Sequence, residues 1–175
     1  MLAHQTLPSI WLMTDRRMVR APWQAIDRLP VGGGVVLRHH DSDPVYAARV
    51  AEQCRARGLM LAIAGDVALA RLVDAAMVHN PDGAAGEFIV SRSIHSAREA
   101  RLAGGADLLF VSPLFATRSH PGARPLGLAQ GARIAAASPT PAIALGIHPA
   151  ERGREAIAAG FHGWAAIDAW TRRAD

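Results

Sequence analysis

Short apolar runs recur along the chain at Ile10–Met13, Val35–Leu37, Met60–Ile63, Ala76–Val78, Phe88–Val90, Leu108–Val111, Ala142–Leu145 and Trp164–Ile167. They lack the apolar/polar alternation of a strand with one wet face. Unbroken apolarity at this length marks strands covered on both sides. Between many of them lie stretches rich in Ala, Leu, Arg and Glu, at Pro44–Arg57, Val67–Val73, Ala97–Ala103, Gly127–Ala137 and Ala150–Ala159. Glycines close several of these (Gly58, Gly104 with Gly105, Gly160), as left-handed helix C-caps do. Strand then helix, repeated, predicts a β/α architecture, and eight strand-length runs are the number a closed parallel barrel requires.

The expected fold is therefore α/β, a TIM (β/α)8-type barrel occupying residues 1–175 as a single domain. It must be compact, with shortened helices, because 175 residues fall well below the roughly 250 typical of this architecture. Pro81–Gly86 is too short for a good helix after the fourth run. The competing open doubly wound sheet would need a Gly-x-Gly-x-x-Gly turn after the first strand, and none is there. Gly32-Gly33-Gly34 precedes the second run and reads as a tight turn, since phosphate chemistry in barrels gathers where strands end.

Composition narrows the function classes. Half the residues are apolar and 19% are charged, which favours a packed core over disorder. The net charge of +4 is carried by arginine alone; these arginines are scattered, whereas a nucleic-acid surface clusters them, so no nucleic-acid partner is expected. Cys54 is the lone cysteine, which suits a reducing compartment and a packing role in a helix. Ile10–Met13 is too short for a membrane span or a signal-peptide core. The expected location is the cytoplasm, with no membrane partner.

In a barrel, the polar residues that follow each strand converge on one mouth. His39, His40, His79, His95, His120 and His148 fall at such positions, where imidazoles can exchange protons or, when charged, bind anionic oxygens. The plain alternative is that polar residues merely terminate the sheet. Arg38 can fork two phosphate oxygens, or pair with Asp41 or Asp43. Asp15 and Asp66 suit a hard cation such as magnesium, although Asp66 directly precedes a helical run and equally suits an N-cap. The Gly/Pro-rich stretch 115–128 after the sixth run reads as a loop that closes over a substrate, with an ordinary crossover as the alternative.

Taken in order, these residues resemble the thiamine phosphate synthase/TenI family. Trp11-Leu12-Met13-Thr14-Asp15-Arg16 resembles its "YLVTDR", and Val36-Leu37-Arg38 its "QLRxK". Ser93-Ile94-His95-Ser96 followed by Glu99-Ala100 resembles "SxHSxxEA", and Gly105-Ala106-Asp107 resembles "GADY". Pro113-Leu114-Phe115, Thr117, Pro121-Gly122 and Leu126-Gly127-Leu128 resemble "GPxFxTxTKPG" and "LGL". The series spans nearly the whole chain.

The resemblance implies a magnesium-assisted transferase for small phosphorylated substrates. It would join hydroxymethylpyrimidine diphosphate to thiazole phosphate and release pyrophosphate. By the same resemblance Arg38 holds the diphosphate, Thr117 and Ser119 assist from the loop, Gly146 offers a backbone amide to the thiazole phosphate, and His95 lies near the pyrimidine. Family members also form homo-oligomers, which is the expected protein partner.

Several positions depart from the pattern. His40 and His120 stand where the family has diphosphate lysines. The "ND" after strand three falls on Ala64-Gly65, leaving Asp66 as a substitute metal ligand; "HLGQxD" after strand four becomes His79-Asn80-Pro81-Asp82, leaving Asp82 as the substitute for the second ligand; and Asp168 occupies the serine position near the phosphate, where a carboxylate repels it. Glycine at the strand-three aspartate also occurs in the TenI branch of thiazole tautomerases, but that branch's acid/base histidine corresponds here to Pro113. Three readings follow: a synthase, a tautomerase using His39, His40, His95 or His120, and a catalytically silent regulatory or binding paralogue, which a mouth filled by side chains such as Trp164 or Phe115 would favour.

Overall fold

The computed structural model describes residues 6–15, 18, 22–38, 43–116, 122, 124–148 and 151–170. Eight parallel strands close into a barrel in chain order, each beside the next and the eighth beside the first. They are β1 (Ile10–Met13), β2 (Gly34–Leu37), β3 (Met60–Ala64), β4 (Met77–His79), β5 (Ile89–Ile94), β6 (Leu108–Val111), β7 (Ala142–Leu145) and β8 (Gly163–Ala166). Around them lie α1 (Pro22–Asp27), α2 (Pro44–Ala56), α3 (Val67–Leu72), α4 (Ala97–Leu102), α5 (Leu128–Ala135) and α6 (Arg152–Ala158), with a 3₁₀ turn at Asp168–Trp170. The closure register pairs Trp11 with Gly34 on one side and with Ala165 on the other.

Strand alternation divides the core in two. Trp11, Met13, Val36, Ala62, Met77, Leu108, Phe110, Ile143 and Ala165 fill the barrel interior, while residues of opposite parity, such as Leu12, Val35, Ile63 and Val78, face the helices. Trp11 and Phe110 meet edge to face at 5.5 Å inside the barrel. The indole lies flat against Gly34, where a Cβ would run into its ring. Burying such a side chain contributes roughly 1.5–3 kcal/mol, so the interior is a packed plug and its chemistry is confined to the rim.

The helices start where short side chains satisfy their free amides. The Asp43 carboxylate accepts from the Val45 and Tyr46 N–H groups at 2.9 and 3.2 Å. Asp66 accepts from Leu69 N–H at 2.8 Å. Ser96 and Glu99 form a capping box: Glu99 N–H donates to Ser96 Oγ at 3.1 Å, and His95 N–H donates to Glu99 Oε2 at 2.9 Å.

The structure revises the element boundaries, with most consequence in three places. Strand β5 continues past Val90 through Ser91-Arg92-Ser93 to Ile94, so polar residues enter the barrel wall. Helix α1, unanticipated between the first two strands, packs Ala25 and Ile26 into the core. Gly34, expected within a turn, is the first residue of β2. The connection from β4 to β5 carries no helix, as the brevity of Pro81–Gly86 implied. Cys54 is buried on α2, and burial pushes its thiol up to about 12, as a packing residue requires.

Candidate active site at the C-terminal mouth

Continuing each interior row beyond the packed plug brings Arg38, Ala64, His79, Ser93, Ser112 and Leu145 to the C-terminal end of the barrel. Arg38 is anchored by the end of β1. Its backbone N–H donates to Thr14 Oγ1 at 2.9 Å and its Nε to Thr14 O at 2.8 Å. A terminal nitrogen lies 3.8 Å from Asp15 Oδ2. Of the two alternative ion-pair partners, Asp43 turns its carboxylate to the cap of α2, and Asp41 lies outside the described residues. Asp15, a candidate metal ligand by sequence, instead balances the guanidinium. Thr14, 3% exposed, was not singled out by the sequence reading because it acts through a carbonyl and a buried hydroxyl.

His79 ends β4 inside the barrel. Its Nδ1 is 3.0 Å from Ser91 Oγ, its Nε2 is 3.1 Å from Ser93 Oγ, and Asn80 Nδ2 approaches Nε2 at 3.3 Å. Asn80 Oδ1 accepts the Ser93 N–H at 2.9 Å, and the ring lies edge-on to Phe110. Burial, with a smaller contribution from the Arg38 and Arg92 charges, lowers its pKa from 6.5 to about 4, so the ring is neutral near pH 7. Ser91, fully buried, is the polar residue that the sequence reading passed over; its two-residue spacing from Ser93 was the available signal.

At the end of β3 the backbone turns through Gly65 at φ +75°. The Asp82 carboxylate leans over it, with Oδ2 3.0 Å from where a Cβ would stand. Asp82 N–H donates to Gly65 O at 3.2 Å. Asp82 therefore occupies the space that a side chain at position 65 would fill. Asp66, also a candidate metal ligand by sequence, is the N-cap of α3.

Beyond β5, His95 Nδ1 donates to the Ser112 carbonyl at 2.7 Å. That leaves Nε2 with its lone pair on an exposed ring. The loop after β6 is pinned at its base, where Leu126 N–H donates to Pro113 O and Gly127 N–H to Leu114 O, at 2.9 and 3.0 Å. Arg152 stacks over the Phe115 ring at 4.5 Å. His40, Thr117, Ser119 and His120 lie outside the described residues, as does the Asp168 side chain. The Gly146 N–H, which the resemblance assigns to a phosphate, donates to Ala165 O at 3.2 Å, and the same oxygen receives the Ile147 N–H at 3.3 Å.

The family profile described as thiamine monophosphate synthase matches residues 35–170, from β2 to the final 3₁₀ turn. The chain belongs to the thiamine monophosphate synthase/TenI family. A relative in Aquifex aeolicus, provisionally named thiamine-phosphate synthase 2, is 31% identical over 80% of this chain and 85% of its own length. A bifunctional ThiM/ThiE protein of Symbiobacterium thermophilum is 35% identical across 70% of this chain, which spans 28% of that longer protein. Among solved structures, a thiamine phosphate pyrophosphorylase from Pyrococcus furiosus superposes with a TM-score of 0.77 at 23% identity, covering 94% of this chain and 87% of that one.

A second opening lies away from the C-terminal mouth. A cavity of about 540 Å³ lies at the other end of the barrel, lined by Cys54, Arg55, Leu59 and Asp74 among others. No strand C-terminus reaches it. Trp164 and Phe115 do not plug the family mouth either: both pack in the outer cluster with Leu114 and Phe161. No group of three His, Cys, Asp or Glu side chains that could hold a metal occurs among the described residues. Nor is any described helix long and apolar enough to cross a membrane.

Proposed function

We propose that the protein acts in thiamine biosynthesis, joining hydroxymethylpyrimidine diphosphate to thiazole phosphate. The observation that carries this reading is the anchored guanidinium of Arg38 at the mouth of a barrel of this family. In the reaction, the bond from the pyrimidine's exocyclic carbon to the diphosphate oxygen breaks, and pyrophosphate leaves with the electron pair. The thiazole nitrogen then donates its lone pair to the resulting carbocation. A guanidinium already fixed in position stabilises the charge that develops on the leaving group without reorganising.

Thr117, Ser119 and His120 on the loop after β6, and His40 after β2, belong to the same diphosphate-binding set. The pinned base of that loop suits closure over the substrate, which would keep water from the carbocation. Magnesium fits these residues together with the substrate, because that ion takes one or two carboxylates and completes its shell with phosphate oxygens. Asp82, standing over Gly65, is the carboxylate that would hold it. When bound, the ion would supply positive charge to the departing diphosphate. The substrates are small and phosphorylated, and the cytoplasm is the expected compartment.

The test is a product assay on purified protein supplied with both substrates, with and without magnesium. Thiamine phosphate should form, and Asp82→Ala should weaken the metal dependence. Absence of product at saturating substrate and metal would overturn the reading.

One observation favours a second activity. His95 has its Nδ1 proton committed to Ser112 O, so Nε2 is a ready proton acceptor. A thiazole phosphate tautomerase needs such a base: one proton leaves a ring carbon, another is returned elsewhere, and the ring becomes aromatic. If His95→Ala isomerises the thiazole as fast as wild type, that role falls.

A further inference from the structure

Helix α3 ends in a turn that ordinarily carries glycine. Ala75 N–H donates to Ala70 O at 2.9 Å and Asp74 N–H to Arg71 O at 3.3 Å, the pair of bonds by which a helix closes on a left-handed residue. That residue is Asp74, with φ 55°, a conformation that costs an L-side chain what it does not cost glycine. Its carboxylate also follows the last carbonyls of the helix, where negative charge is unfavourable. Among the described residues nothing offsets these costs, because the Asp74 carboxylate makes no hydrogen bond or ion pair there.

The same residue lines the cavity at the base of the barrel. At about 540 Å³, that cavity is of the size that holds small molecules. Ala51 and Cys54 of α2, Leu59 and Leu61 at the start of β3, and Ala76 before β4 give it an apolar wall. Arg55 is on the wall too, but it occupies the last turn of α2, where a cation offsets that helix's own negative end. Asp74 has no such structural role. A local rule broken with no gain to folding points to function.

We propose that this cavity is a second binding site, separate from the C-terminal mouth, and that it takes a small organic amine with an apolar body. The ammonium pairs with the Asp74 carboxylate, and the body covers the wall formed by Leu59, Leu61 and Ala76. An apolar molecule without the charge covers the same wall but leaves the carboxylate unpaired beside it. An anion is repelled. The inference does not depend on the transferase reading, since none of these residues belongs to the mouth.

Hexylamine, hexanol and hexanoate share one apolar body and differ in charge, so they serve as probes. Ligand-observed NMR titrations of the full chain should give hexylamine an affinity about fivefold above that of hexanol, the upper end of what a partly wet ion pair contributes, with hexanoate weakest. Asp74→Asn should bring hexylamine down to hexanol and at the same time raise the midpoint of thermal unfolding, because asparagine tolerates the left-handed conformation and sets no charge against the helix end. Ala76→Leu, which narrows the cavity and keeps the carboxylate, should weaken hexylamine and hexanol together. A preference for hexanoate would move the anchor to Arg55 and overturn the amine assignment. No binding of hexylamine, equal affinities for it and hexanol in wild type, or an amine preference that survives in Asp74→Asn would overturn it as well.

Discussion

At the residue scale, the site depends on a few side chains whose freedom has been removed by their neighbours. Arg38 has two hydrogen bonds to Thr14 and an ion pair with Asp15. Arg38→Ala should lower kcat/KM by about 100-fold or more, and Arg38→Lys should recover little of it, because an ammonium lacks the planar fork. His79 gives a pH signature. Its folded pKa of about 4 lies below the ordinary 6.5, so between those values the unfolded chain binds the proton that the folded one refuses. Stability is then fully present above pH 6.5 and falls as the pH drops towards 4, by something on the order of 3 kcal/mol. Urea unfolding followed across that range should show the slope in wild type and a shallower one in His79→Gln.

Arg38 was legible from sequence because it ends an apolar run and sits in a motif. His79 was legible only as a polar residue after a strand. That it lies within the barrel, paired to Ser91, follows from β5 extending through three polar residues, and polarity alone argued against such an extension. The Asp82 carboxylate over Gly65 was beyond reach, since it depends on how an irregular connection folds back. Gly65→Ala should cost about 1–2 kcal/mol in thermal or chemical unfolding, because its positive φ strains an L-residue and its Cβ meets Asp82.

At the element scale, the helices are short and depend on their caps. Helix α4 spans only Ala97–Leu102 and begins with the Ser96–Glu99 box. The Ser96 hydroxyl holds the Glu99 carboxyl below the usual carboxylate range. Ser96→Ala should destabilise the protein by about 1 kcal/mol near neutral pH. The deficit should shrink in acid as Glu99 takes up its proton, because a depressed carboxyl pKa contributes stability only above that pKa. The capping box was written in the sequence as Ser-x-x-Glu. Helix α1 was not, because its six residues, Pro-Trp-Gln-Ala-Ile-Asp, are too few to display a helical period.

At the scale of the whole molecule, closure of the barrel is completed by tryptophans. Trp170 stacks on Trp164, with centroids 5.3 Å apart and planes 6° from parallel. Its Nε1 donates to Trp11 O at 3.3 Å, and its own carbonyl accepts from Arg28 at 2.7 Å. It thus joins β8, β1 and the turn after α1. Trp170→Ala should cost about 3 kcal/mol, as large aromatic truncations do, and lower the midpoint of thermal unfolding by roughly 6–12 °C for a chain of this size. The closed topology itself was readable from eight apolar runs; this fastening was not, because stacking depends on two indoles meeting on the outer face of the barrel.

The stacked pair also gives the protein an optical signal of its own. Two indoles stacked at this distance couple their electronic transitions, so the indole circular dichroism band of the folded barrel should differ from that of isolated tryptophans. Because one indole belongs to β8 and the other to the turn beyond it, the band reports whether the last segment is docked on the wall. Following it during unfolding would separate release of that segment from loss of the strands, with no label attached.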